Sequence, residues 1–153
     1  MDKFMEIAKE NAKDGIERGD GGPFGAVIVD KSGNVVSNAN NQVLKNNDPT
    51  AHAEIIAIRE ACRKLNTYDL SDCILYTSAE PCPMCLSAII WSNIKKVYYG
   101  CNKKDAGDIG FRDDIIYEYL KGNREDLIQL KSIDREECLK VFKEYKNSNG
   151  IIY

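Results

Sequence analysis

One histidine occurs in the 153 residues. It stands in "TAHAEIIAIREACRKL" as His52, two positions before Glu54 and at the head of an apolar run. Further on, "PCPMC" sets Cys82 and Cys85 three residues apart, so on the first turn of a helix both sulfurs face one side. Exposed backbone N–H groups at such a helix end favour the thiolate, which is the metal-binding form. Alone, the cysteine pair also reads as a redox dithiol, and Pro81 and Pro83 suit either reading. His52 adds a third ligand of the kind zinc takes. A structural zinc site normally closes with four protein ligands, and neither a second histidine nor another close cysteine pair is present. Three ligands leave a position for water. Two thiolates and a neutral imidazole also cancel the charge of the ion, so that water needs a base. Glu54 can supply one without being a ligand; the blander reading is a carboxylate placed favourably at a helix N-terminus.

The elements that must position these groups can be read from periodicity. Phe4, Ile7, Ala8, Ala12 and Ile16 repeat at helical spacing, and "RGDGGPFG" ends that helix. "GAVIVD" and "VVSNAN" flank "KSGN" as a hairpin, followed by the polar loop "NQVLKNNDPT". Asp48 as cap and Pro49 in the first turn predict a helix from about Asp48 that buries Ile55, Ile58 and Leu65. "CILYTS" reads as a buried strand, "EPCPMCLSAIIW" as a turn opening a helix, and "IKKVYYG" as another strand. After "GDIGF" the pattern predicts a short helix near "DDIIYEYL" and a strand near "LIQLKSI". A last helix then carries Cys138, Val141, Phe142 and Tyr145 on one face. This αββαβαβαβα order favours a sheet covered by helices on both faces, with chemistry where helix N-termini meet strand ends.

Composition narrows the class. The length suits one domain that removes about 68–70% of its extended-chain surface from water. No stretch approaches the roughly 20 apolar residues of a membrane span, and the charged stretch "MDKFMEIAKENAKDG" lacks the pattern of a signal peptide, so the expected compartment is the cytoplasm. Six cysteines in a reducing compartment point to metal or catalysis rather than disulfides, with Cys62, Cys73, Cys101 and Cys138 expected as small core residues. The net charge is −3, and residues 1–104 balance at 13 basic and 13 acidic while the remainder holds 8 against 11. No basic stripe of the sort that grips phosphate backbones is visible, which argues against a nucleic-acid partner.

His-Ala-Glu at one helix start, with Pro-Cys-x-x-Cys beginning 27 positions after the glutamate, matches the signature of zinc-dependent base deaminases. "PFGAVIVD", "NDPTAHAEIIAIREA", "ILYTSAEPCPMCLSAIIW" and "GFRDD" resemble the cytidine-deaminase superfamily, and within it the bacterial guanine deaminases, over nearly the whole chain. The resemblance implies a three-layer α/β/α sandwich around a mixed five-stranded sheet, and a single deaminase domain over residues 1–153 whose C-terminal segment, about 134–153, closes the active site. It implies a homodimer, with exchange of C-terminal segments between subunits as one option. It further implies one zinc per chain on His52, Cys82 and Cys85, with Glu54 shuttling protons while guanine is hydrolysed to xanthine and ammonia.

The tRNA adenosine deaminases share these zinc motifs, so the choice of substrate rests on other residues. Trp91 stands where a histidine is expected in the tRNA-acting branch, and the acidic C-terminal third lacks a cationic surface. By resemblance Asp113 and Tyr153 close a purine pocket; a carboxylate accepts from ring N–H groups that guanine offers and adenosine lacks. Asp114 is the alternative by one residue, and a helix cap is the other reading of Asp113. Asn41, at the end of the second strand, binds substrate by resemblance, against a plain turn asparagine beside Asn38 and Asn40. Phe24 and Trp91 could wall the base or belong to the core. For Tyr153, "NGIIY" offers a turn and apolar surface for docking, against a frayed end whose isoleucines cover core. The competing activities are tRNA adenosine deamination and hydrolysis of a pyrimidine or triazine amine; a non-catalytic zinc or dithiol module is the third class.

Overall fold

The computed structural model describes all residues, Met1–Tyr153, and these form two compact units, Met1–Asp114 and Ile115–Tyr153. In the first unit the order is α1 (Lys3–Arg18), β1 (Gly25–Asp30), β2 (Val35–Asn40), α2 (Val43–Asn46), α3 (Ala53–Leu65), β3 (Cys73–Ala79), α4 (Pro83–Trp91), β4 (Lys96–Cys101) and α5 (Lys103–Asp108). The strands make one sheet in the order β2-β1-β3-β4, with β1 antiparallel to both neighbours and β4 parallel to β3.

Strand alternation divides the side chains between two faces. Ala26 and Ile28 of β1 join Cys73 and Leu75 of β3 beneath Ala53, Ala57 and Ala61 of α3 and Ile89 of α4. Val27 and Val29 turn the other way, with Ile74 and Tyr76, against Phe4, Met5, Ile7 and Ala8 of α1. Ile28 and Leu75 are fully buried, and burial of such a side chain contributes about 2 kcal/mol. Helix α1 lies directly on β1 because Gly25 has no side chain: a Cβ there would stand 2.0 Å from the Ala8 carbonyl oxygen. The expected layering of helix, sheet and helix is therefore present in this unit.

The second unit holds α6 (Asp114–Leu120) from Ile115 onward and α7 (Arg135–Asn147), and none of its residues is buried. At the end of α7, Asn149 adopts a left-handed backbone (φ 54°), the Gly150 N–H donates to the Tyr145 carbonyl and the Tyr145 hydroxyl donates to the Ile151 carbonyl, so the chain turns back along its own helix.

Several expectations need correction. The sheet has four strands, not five: residues 127–133 form no ladder, because a strand needs a partner and the other regular elements of their unit are helices. Helix α3 starts at Ala53, not near Asp48, since the Asp48 carboxylate accepts from both the N–H and the hydroxyl of Thr50 and closes a local turn. Ile55 is buried as expected, whereas Leu65, in the last turn of α3, is exposed. Val43–Asn46 is helical rather than loop. Cys73 is buried, but Cys101 on the outer strand β4 and Cys138 on α7 are exposed. No helix is long and apolar enough to cross a membrane.

Candidate active site

Two helix starts meet at the chemistry. His52 is the N-cap of α3 and Cys82 the N-cap of α4, with Pro83 opening the latter helix and Cys85 on its first turn. The turn before Cys82 is pinned by Glu80, whose N–H donates to the Cys101 carbonyl (2.7 Å) and whose carboxylate accepts from the Lys103 N–H (2.9 Å). His52 Nδ1 lies 3.6 Å from the Cys82 sulfur and 3.4 Å from the Cys85 sulfur, and the ligand atoms of all three lie within 4.8 Å of one another. Tetrahedral zinc, with ordinary Zn–N and Zn–S bonds, separates its nitrogen and sulfur ligands by about 3.6 Å. The donor set therefore fits zinc in number, type and spacing. A dithiol working by disulfide chemistry gives no reason for an imidazole nitrogen in contact with both sulfurs.

The electrostatics prepare these ligands. Without metal, the Cys85 thiol and then the His52 imidazole hydrogen-bond to the Cys82 sulfur and hold its pKa down at about 4. Cys85 is pushed the opposite way by the same bond to Cys82 and by burial, and the bond to Cys82 raises His52. One thiolate thus stands ready, and both helix N-termini add favourable potential.

Glu54, on the first turn of α3, is 6% exposed; burial raises its pKa, the direction a base needs in order to take and return protons near neutrality. Its Oε2 accepts from the Cys85 thiol at 3.5 Å and its Oε1 from the Thr77 hydroxyl at 3.3 Å. Thr77 escaped the sequence reading, although a hydroxyl on the inward side of the alternating strand "CILYTSA" was a visible signal.

Of the other expected site residues, Asn41 is buried and its N–H donates to the Phe24 carbonyl (2.9 Å). Its Oδ1 accepts from the Val43 N–H at 3.1 Å, which leaves the amide nitrogen as a donor. The next residue, Gln42, donates from its N–H to the Ala51 carbonyl at 2.9 Å, tying this strand end to the residue before His52. Gly21 is required here, for a Cβ would fall 2.1 Å from Asn41 Oδ1. Phe24 packs edge-on against Phe111, with ring centroids 5.0 Å apart. Asp113 is half-buried, and its pKa is raised by that burial first and then by the charge of Cys82. Asp114 is exposed and paired with Arg112 at 2.9 Å. Trp91 is exposed at the end of α4 away from the cysteines, so its surroundings give no support to a wall role. Tyr153 lies in the second unit and is exposed.

A second buried polar group, absent from the sequence reading, supports Asn41. The Asn40 amide donates to Asp20 Oδ2 and to the Asn41 carbonyl, both at 2.9 Å, and Arg18 donates to the same aspartate oxygen at 3.1 Å. The Asn40 amide first, then Arg18, lower the pKa of Asp20 below its ordinary 3.8. A lowered native pKa contributes stability that is complete above the unfolded value and lost as pH falls through the native one. Asp20→Asn should therefore lower the thermal midpoint by a few degrees at pH 7, with the gap to wild type closing below a pH of about 3.8. A gap independent of pH in melts across that range would show that the charge of Asp20 is not what stabilises the loop.

Residues 1–101 match the family described as the cytidine and deoxycytidylate deaminase zinc-binding region. The chain belongs to the cytidine and deoxycytidylate deaminase family. Within it, the chain is 47% identical to a guanine deaminase of Bacillus subtilis over 94% of its length and 92% of the relative. It is 39% identical to a tRNA-specific adenosine deaminase of Aquifex aeolicus over 97% of each chain. The X-ray structure of the Bacillus subtilis guanine deaminase superposes with a TM-score of 0.89 at 45% identity, covering 96% of this chain and 95% of that one. This member of the deaminase family is a zinc-dependent aminohydrolase homologous to guanine deaminase, and its His/Cys/Cys group fits one zinc ion per chain.

Proposed function

We propose that the enzyme hydrolyses guanine to xanthine and ammonia, with His52, Cys82 and Cys85 as zinc ligands and Glu54 as proton shuttle. The observation that carries this reading is the three-ligand cluster, with a buried carboxylate 3.5 Å from the Cys85 sulfur, in a chain so similar over nearly its whole length to a guanine deaminase. Bound zinc supplies Lewis acidity that makes a water molecule nucleophilic near neutral pH. Glu54 takes the first proton of the attacking water and gives it to a ring nitrogen, then takes the proton of the hydroxyl now on the attacked carbon and gives it to the departing amine. The water oxygen ends on the carbon that bore the exocyclic amine, and ammonia leaves.

Purine recognition falls to the residues around Phe24. The free amide nitrogen of Asn41 donates to a ring or carbonyl acceptor, Phe24 offers an apolar wall, and Asp113 accepts from ring N–H groups. Asp113 is favoured over Asp114 because the latter is exposed and held by Arg112 while the former is half-buried. We assign the whole chain to one deaminase domain of a cytoplasmic homodimer, in which the C-terminal segment with Tyr153 closes the active site.

Ammonia release by zinc-loaded protein from guanine, adenine, adenosine and an anticodon stem-loop tests the assignment. Guanine should be the preferred substrate, and Asp113→Asn should erode that preference, because an amide can turn a donor toward the ring where a carboxylate only accepts. Turnover of the stem-loop with none of guanine would replace this reading by the tRNA one.

A further inference from the structure

Strand β3 points Cys73, Leu75, Thr77 and Ala79 to one face of the sheet, and all four are buried. Three of them suit an apolar core. Thr77, at 1% exposure, brings a hydroxyl into this row where valine would fill the same volume, and a buried hydroxyl costs free energy unless it is bonded. Two acceptors are within reach, Glu54 Oε1 at 3.3 Å and the Ala79 carbonyl at 3.1 Å, for one hydrogen. A charged carboxylate outcompetes a neutral carbonyl for it.

On this basis, and resting on the aminohydrolase reading above, we infer that Thr77 is a positioning residue for Glu54: its hydroxyl holds Oε1 and so keeps Oε2 turned toward the metal ligands. The terminal torsion of a glutamate is broad and roughly two-fold, so a carboxylate needs bonds to fix its plane. In the metal-free protein one such bond comes from the Cys85 thiol. The Thr77 hydroxyl is the anchor of the other oxygen, Oε1. The strand that carries Thr77 is hydrogen-bonded on both sides, to β1 and to β4, so the anchor is rigid.

The test compares zinc-loaded Thr77→Val, which keeps the shape and removes the hydroxyl, with Thr77→Ser, which keeps the hydroxyl. Thr77→Val should bind a full complement of zinc and keep its KM for guanine while kcat falls about 10- to 100-fold, the worth of a hydrogen bond to a charged group. Thr77→Ser should recover most of kcat. A crystal structure of zinc-loaded Thr77→Val should show the Glu54 carboxylate rotated from its wild-type position. Unchanged kcat in Thr77→Val, equal losses in both variants, or an unmoved Glu54 would overturn the inference. Wild-type protein that releases no ammonia from guanine would reject the substrate reading instead, and the position of Glu54 in the Thr77→Val structure would still decide the role of Thr77.

Discussion

Glu54→Gln is expected to bind zinc as well as wild type and to release ammonia from guanine about 10²- to 10⁴-fold more slowly, the usual contribution of a general acid–base group. Glutamine keeps the length and planarity of the side chain, and its oxygen can still accept from Thr77, so the packing at the start of α3 is preserved. What it lacks is a site that takes up a proton and gives it back. Glu54 is 6% exposed, so bulk water has little opportunity to substitute for it. Metal analysis together with ammonia release checks the prediction, and near wild-type turnover would remove Glu54 from the proton transfers.

Cys85→Ala should lose both the metal and the activity. Cys85 is fully buried, and its sulfur lies 3.4 Å from His52 Nδ1, so removing it leaves a two-ligand remnant that no longer matches the requirement for three protein ligands plus water. Losing one sulfur from the first turn of α4 leaves the apolar contacts of Ile89 with the core in place. Circular dichroism should therefore report a folded chain while zinc content falls to near zero. Cys82→Ala should behave alike. Retention of one zinc per chain by either variant would exclude that cysteine from the ligand set.

The ligand cluster was legible because its chemistry is local in sequence at both ends: His-Ala-Glu fixes one helix start and Cys-x-x-Cys another, and the one strand between them, β3, has clear alternation. The boundary of α3 was misread because Asp48 and Pro49 look like a cap and a first turn, while Thr50 captures the aspartate in a turn of its own. The supposed strand at "LIQLKSI" shows the limit of periodicity, which reports that a face could be buried and not whether a partner strand exists. Thr77 and the Asp20–Asn40 pair were hidden for a different reason. Each works through a contact between residues about 20 apart in the chain, and only the fold brings them together.

The separation of His52 from the two cysteines has a thermodynamic corollary. In the unfolded chain only Cys82 and Cys85 are neighbours, so a zinc ion there finds a two-sulfur chelate, whereas the folded chain presents all three donors already gathered at two helix starts. An ion that prefers the folded form stabilises it by mass action, by about 4 kcal/mol when its free concentration is a thousand times its dissociation constant. Loading and folding are thereby linked without being the same event, for the helices and sheet that gather the donors have their own apolar core. The same ion that equips the enzyme for catalysis also raises the free energy needed to unfold it.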